Sequence, residues 1–206
     1  MNDQGFNKIL ISTNALLPLG LLAFDFYRGA LGANPLEFFL RASGVLTLLF
    51  VVVTLSVTPL RKIFGWNGLI KYRRMLGLYA FFYGCVHLIT YSIFDKSLEM
   101  QEIVRDVIQR PFIAVGMAAL LLMVPLAATS TNGMIKRLGG KNWSKLHKLT
   151  YAVPVLGVIH FWMIVKSDVF YPALFAVAVA LVLGYRLFSR SRSKIDAVKK
   201  PEPLQG

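Results

Sequence analysis

One cysteine, three histidines and ten acidic residues are all that this chain of 206 residues carries of the side chains that usually build metal clusters and catalytic centres. With Cys85 alone, neither an intramolecular disulfide nor a cysteine-based metal cluster can form. Two positions from His87 in an apolar run, it reads as a small packing residue. Charge is scarce as well: 16% of residues are charged against 56% hydrophobic, and the mean hydropathy is +0.59. That balance excludes an ordinary soluble domain. Asp and Glu are missing from the cores of the last five apolar stretches, so a zinc or non-haem iron centre, which wants three or four protein ligands and often a carboxylate, has nothing to draw on. No glycine-rich nucleotide fingerprint follows the last apolar stretch, and about 20 residues of tail are too few for a flavin or NADPH domain.

What the sequence has in quantity is long apolar runs. Six are visible, at 9–27, 42–60, 76–94, 111–129, 147–165 and 169–187, each near the ~20 residues that cross ~30 Å of hydrocarbon as a helix. None alternates polar and apolar residues as a barrel strand does, and in lipid the backbone must satisfy its own hydrogen bonds. The pattern therefore predicts an all-α membrane protein, a six-transmembrane-helix bundle. The first run, preceded by Lys8 and followed by small residues near Ala30 and Ala33, also resembles a signal peptide; Pro18 and the lack of a clear small-x-small site favour retention as a helix.

The basic residues give the orientation. Arg61, Lys62, Lys71, Arg73 and Arg74 lie between runs two and three, and Lys136, Arg137, Lys141, Lys145 and Lys148 between four and five. Arg186, Arg190, Arg192, Lys194, Lys199 and Lys200 come at or after the end of the last run, and Lys8 precedes the first. Seventeen of the 23 Lys and Arg thus fall on one side, which predicts both termini in the cytoplasm. A net charge of +13 would suggest nucleic acid in a soluble chain; here the charges sit at helix ends without a recognition fold and read as anchoring to anionic membrane lipid. Two regions are expected: a membrane domain over 1–188 and a cytoplasmic basic tail over 189–206.

His87 and His160 stand well inside two different runs, where an ionisable side chain is costly and marks a site. His87 is 13 residues past Arg74 and His160 is 12 past Lys148. At 1.5 Å per residue both imidazoles lie ~18–20 Å beyond the inner charged boundary, on helices that run the same way, and so can face each other. Two opposed imidazoles suit a planar cofactor that brings four nitrogens of its own, which points to haem. Interhelical hydrogen bonding and proton relay are the competing readings of the same pair. Gly84 and Gly157, each three residues before its histidine, share the imidazole face and leave a hollow for a macrocycle edge or a neighbouring helix. His147 lies 13 residues before His160, ~20 Å nearer the cytoplasm, but ~140° away around an ideal helix; Pro154 between them is expected to kink or retwist the segment. It is either the ligand of a second haem or an interfacial histidine.

Lesser features complete the reading. Asp25 and Arg28 form a local ion pair or line a quinone pocket. Residues 97–110 place apolar side chains at helical spacing among charged ones, as an amphipathic connector or a docking face would. Trp66, Trp143 and Trp162 sit near the ends of the runs as interfacial anchors.

Two segments carry a family resemblance. Thr58 to Tyr91, TPLRKIFGWNGLIKYRRMLGLYAFFYGCVHLITY, and Lys141 to Lys166, KNWSKLHKLTYAVPVLGVIHFWMIVK, closely resemble the MsrQ (YedZ) family, the haem-binding membrane subunits of the MsrPQ methionine sulfoxide reductase system. That family falls within the ferric reductase-like membrane domains that also include NADPH oxidases. The resemblance implies a bacterial inner-membrane cytochrome b, a non-catalytic subunit passing electrons to MsrP, a periplasmic molybdenum enzyme that repairs oxidised methionines in envelope proteins. It implies the quinone pool or a cytoplasmic flavin reductase as donor, and FMN has been associated with the family, although no residue identifies an FMN or quinone site. His87, His160 and His147 fall on its haem-ligand positions. NADPH oxidases carry two histidines on the third helix, whereas here Arg73 stands 14 residues before His87. A second haem at His147 would then need another ligand, such as Met75, or would be five-coordinate, so one haem b is expected and the second left open. A multi-pass transporter or a membrane assembly scaffold is the alternative; the sequence shows no inverted repeat and lacks the intramembrane carboxylates of a proton-coupled carrier.

Overall fold

The computed structural model describes residues 3–198, with side chains described over 4–191. Every regular element in it is helical. Nine α-helices follow in order: α1 Asp3–Tyr27, α2 Pro35–Phe64, α3 Arg73–Thr90, α4 Met100–Gln109, α5 Pro111–Ala128, α6 Asn132–Leu138, α7 Gly140–Leu146, α8 Ala152–Ile164 and α9 Phe170–Val198. Local chemistry explains their limits. Asn34 caps α2 by accepting from the Glu37 amide at 3.2 Å, Pro35 takes the first position where no N–H is needed, and Gly65 closes the helix with a left-handed φ of 72°. Pro111 opens α5 in the same manner. Past Thr90, α3 widens into a π-helical turn over Tyr91–Asp95 before the chain reverses at Ser97 and Leu98.

Five helices are long and apolar enough to cross a membrane: residues 4–27, 35–64, 73–95, 111–128 and 170–191. The remaining apolar run, 147–165, is not one such helix. It is a 3-10 segment over His147–Tyr151 followed by the 13 residues of α8. Pro154 does not kink it; it sits in the first turn of α8, where its missing N–H costs nothing. The last run continues without a break past 188 to Val198, so the start of the basic tail is helical, and 199–206, with Lys199 and Lys200, lies outside the described residues.

The helices pair by faces. α2 lies along α3 and α5 along α8, the two pairs meet through α3 and α5, and α9 leans on α2 and α8. Val51, Leu55, Ala80, Met123 and Val153 form the common core. α1 is peripheral: the Tyr83 hydroxyl, on a fully buried ring, donates to the Ala15 carbonyl at 2.6 Å and Ser12 donates to the Met75 sulfur at 3.7 Å. Most large apolar side chains point outward; Phe170, Leu181, Leu187 and Phe188 are each about two-thirds exposed. Surface of that kind requires hydrocarbon around it. The chain is a multi-pass membrane protein.

Candidate functional site: an opposed imidazole pair

The α3 and α8 helices bring His87 and His160 together, with ring centroids 6.2 Å apart and ring planes at 87°. Each Nδ1 faces a main-chain carbonyl: His87 donates to Leu40 at 3.0 Å and His160 to Phe112 at 2.6 Å. A carbonyl can only accept, so these contacts assign the ring proton to Nδ1 and leave each Nε2 with its lone pair, the arrangement of a metal-ligating histidine. The Ser43 hydroxyl, fully buried, donates to the same Leu40 carbonyl at 2.9 Å and lies 3.4 Å from the His87 Nδ1.

The spacing suits one iron between the rings. A first-row metal–imidazole bond is about 2.0–2.1 Å and the ring nitrogen lies about 1.1 Å from the ring centre, so two imidazoles on opposite sides of one ion put their centroids about 6.3 Å apart. The observed separation agrees to within about 0.1 Å. Among the described residues no three His, Cys, Asp or Glu side chains gather around one point, so these two donors fit a cofactor that supplies the equatorial nitrogens itself.

Two glycines that the sequence reading passed over hold the rings. A Cβ on Gly44, in α2, would stand 3.2 Å from Cε1 and Nδ1 of His87; one on Gly116, in α5, would stand 2.7 Å from the same atoms of His160. Each glycine is four residues after the carbonyl its histidine bonds, Leu40 before Gly44 and Phe112 before Gly116. The two helices thus present the same device: a bare backbone patch for the ring and, one turn earlier, an acceptor for its proton. The signal was present as a glycine in each of two apolar runs, yet it carries meaning only once the helix pairing is known.

Gly84 and Gly157 serve a different contact. The space beside Gly84 is taken by Leu120 Cδ1, 2.9 Å from where a Cβ would stand, and that beside Gly157 by Leu48 Cδ1 at 3.1 Å. Of the two expected occupants, a macrocycle edge or a neighbouring helix, the hollows hold the helix, which lets α3 approach α5 and α8 approach α2.

His147 is held otherwise. Its Nε2 lies 3.1 Å from the Thr129 hydroxyl, which itself donates to the Pro125 carbonyl at 2.7 Å, so the imidazole is the donor in that contact. The Trp143 ring stacks on it at 3.9 Å and donates its indole N–H to the Thr129 carbonyl at 2.9 Å. Trp143 is therefore a member of this cluster and not simply an interfacial anchor. The 3-10 segment also changes the angle between the two histidines. Five steps of about 120° and eight of about 100° leave His147 and His160 about 40° apart around the axis, against about 140° for an unbroken α-helix, and separate them by about 22 Å along it.

The sequence model of the ferric reductase like transmembrane component family matches residues 39–158, a stretch that holds Gly44, His87, Gly116 and His147 and ends two residues before His160. The protein-methionine-sulfoxide reductase heme-binding subunit MsrQ of Herminiimonas arsenicoxydans is 48% identical over 195 residues, covering 93% of this chain and 89% of that protein. The chain belongs to the MsrQ family. MsrQ of Azospira oryzae is 47% identical over 178 residues, 86% of this chain and 76% of its own, and MsrQ of Rhodospirillum rubrum 46% over 187 residues, 91% and 90%. No solved structure matches the chain.

Other expectations attached to this MsrQ-family chain come out differently. Met75 turns its sulfur to Ser12 of α1. Asp25 and Arg28 do not pair within ion-pair distance: Arg28 lies over the Phe24 ring, 5.2 Å from its centre, and the Asp25 carbonyl ends the helix by accepting from the Ala30 amide. At the other end of α3 the structure adds a buried clamp. Asp106, 5% exposed on α4, receives Lys96 at 2.7 Å and the Tyr91 hydroxyl at 2.9 Å, with Arg110 at 3.4 Å. The Lys96 ammonium first, then the Tyr91 hydroxyl, hold the Asp106 carboxyl below its ordinary range, and the same Asp106 contact raises Lys96. The clamp ties α4 to the end of α3, five residues ahead of the start of α5, which carries the chain to Phe112, the partner of His160.

Proposed function

We propose that this chain is the haem b subunit of a methionine sulfoxide reductase system, holding one haem between His87 and His160. The observation that carries the reading is the pair of imidazoles 6.2 Å apart, both with Nδ1 committed to a carbonyl and Nε2 free to ligate. Bound there, haem b would supply one-electron chemistry, with His87 and His160 as the residues that would hold its iron. The chain's own part is to fix the tautomers through Leu40 and Phe112, to seat the rings against Gly44 and Gly116, and to keep water from both with the apolar walls of four helices.

In this reading the subunit carries electrons across the bacterial inner membrane, from the quinone pool or a cytoplasmic flavin reductase, to a periplasmic molybdenum-containing partner of the MsrP kind, with which it forms a heterodimer for repair of oxidised envelope proteins. The 3-10 segment and α8 together span about 30 Å, five residues at about 2.0 Å and 13 at about 1.5 Å, which supports a sixth crossing and, with the basic loops, cytoplasmic termini. Residues 1–188 form the haem-binding membrane domain and 189–206 the basic cytoplasmic tail. His147, on nearly the same face as His160, is the candidate ligand of a second haem, and Gly84 and Gly157 contribute by setting the helix offsets. FMN enters only through the family, with no residues assigned to it.

The test is a reduced-minus-oxidised absorption spectrum of the detergent-purified protein beside His87→Ala and His160→Ala. Loss of the b-type signal in both supports the pair; pigment retained at full stoichiometry in either overturns it. His147→Ala is expected to keep that signal, and a fall in haem per chain in this variant assigns the second site.

A further inference from the structure

Arg186 lies in the apolar part of α9, 16 residues past Phe170, where a charge is costly and its partner must be sought. Its Nη2 donates to the Leu55 carbonyl at 2.6 Å, an acceptor left free because the residue one turn on, Pro59, has no N–H to give. Nη1 donates to the Tyr151 hydroxyl at 3.1 Å, and the guanidinium carbon is 5.3 Å from the centre of that ring. Nε is buried and has no partner, the one side-chain nitrogen or oxygen of which this is true among the described residues. Arg73, the first residue of α3, is within electrostatic reach of both Arg186 and Tyr151. No carboxylate among the described residues pairs with either arginine.

Two guanidinium groups within electrostatic reach of one another, with no counter-ion among the described residues, repel, and the buried Arg186 Nε–H with no acceptor costs more still. An oxyanion relieves both. Guanidinium forks match phosphate oxygens, and Tyr151, whose oxygen already accepts from Arg186, has its own O–H left to donate. We propose that Arg73, Arg186 and Tyr151 form a phosphate site at the end of the bundle that carries the 61–74 loop, taking the phosphate group of a membrane lipid or of a soluble phosphate-bearing ligand. The site is made by α2, α3, α9 and the 3-10 segment before α8, and it depends on nothing claimed for the imidazole pair.

Two binding measurements on the full-length detergent-purified protein test it. Native mass spectrometry follows one-to-one binding of phosphatidylglycerol against phosphatidylcholine, and equilibrium dialysis follows radiolabelled inorganic phosphate. Both are run on wild type, Arg73→Gln, Arg186→Gln and Arg186→Lys. One equivalent of phosphatidylglycerol, or of inorganic phosphate, should bind wild type and weaken roughly tenfold or more in each glutamine variant, with Arg186→Lys between, because a charged hydrogen-bond partner is removed. Binding of the lipid alone identifies a headgroup site; binding of inorganic phosphate identifies a soluble ligand. Arg186→Gln also breaks the ties to Leu55 and Tyr151 and can unfold the chain, so Arg73→Gln, which makes neither tie, decides in that event. If neither probe binds wild type, or Arg73→Gln binds as wild type does, the site does not exist.

Discussion

Gly116→Ala offers the sharpest test of how the imidazoles are held. The added methyl would begin 2.7 Å from Cε1 and Nδ1 of His160 and 3.1 Å from its Nε2, against 3.4 Å for ordinary contact. About 0.7 Å must therefore be made up by the ring or by α5. A ligated metal tolerates about 0.2 Å in a bond length, so a shift of that size is more than three times what the coordination can absorb. The ring is also pinned by its 2.6 Å bond to Phe112, on the same helix that carries the new methyl, so it cannot retreat without losing that bond. Overpacking of this kind costs about 1–3 kcal/mol and the hydrogen bond about 1 kcal/mol more, together roughly 30-fold or greater in haem affinity. Gly44→Ala is the graded comparison: its methyl meets His87 at 3.2 Å, a deficit of about 0.2 Å, within tolerance. Haem per polypeptide after purification, with the reduced-minus-oxidised spectrum, should rank wild type above Gly44→Ala and both well above Gly116→Ala. If Gly116→Ala retains wild-type pigment, or if Gly44→Ala loses more than it does, the seating of the rings has been misread.

Further outcomes follow from the surrounding contacts. Gly84→Ala should lower thermal stability while leaving the spectrum in place, since its methyl meets the end of Leu120 and no imidazole; a changed spectrum with unchanged stability would contradict this. Asp106→Asn should weaken the Asp106 clamp by on the order of 2 kcal/mol, read as a lower melting temperature. The difference between wild type and that variant should hold across the middle pH range. It should vanish as pH falls below the ordinary carboxyl value of 3.8 through the depressed Asp106 value, and again as pH rises above 10.5 through the raised Lys96 value, because each ion contributes only while charged. Tyr83→Phe removes the bond to Ala15 and should loosen α1 by about 1 kcal/mol, seen as faster proteolysis in that helix with the haem signal unchanged. For orientation, Lys71→Cys should react with a membrane-impermeant thiol reagent only from the cytoplasmic side and Glu99→Cys only from the periplasmic side; the reverse pattern would invert the topology.

Apolar runs made five of the six expected membrane helices legible, because crossing hydrocarbon constrains length and composition more tightly than any soluble fold does. Depth was legible too: counting residues from Arg74 and Lys148 put His87 and His160 on one level, and their rings lie 6.2 Å apart. Lateral placement was not. Which face of α2 meets α3, and which of α5 meets α8, is settled by packing, so Gly44 and Gly116 could not be told from glycines such as Gly84 and Gly157 that merely seat leucines. A retwist between His147 and His160 is expected from Pro154, the residue best known for bending helices; the structure has instead a 3-10 segment over the five residues before α8, whose ideal geometry would supply it and which no single residue type announces. In the sequence Arg186 is one more charge at a helix end, since the vacancy it fills exists only because Pro59 leaves a carbonyl bare on another helix.

Both rings are hung from main-chain oxygens, those of Leu40 and Phe112. An acceptor of that sort cannot be deleted by any point mutation, nor exchanged for a stronger carboxylate, so the donor strength of the two nitrogens is a property of the scaffold. Apart from the Ser43 hydroxyl, which shares the Leu40 carbonyl, retuning would have to come from sliding one rod against another, and small residues along the seams are where such sliding is decided.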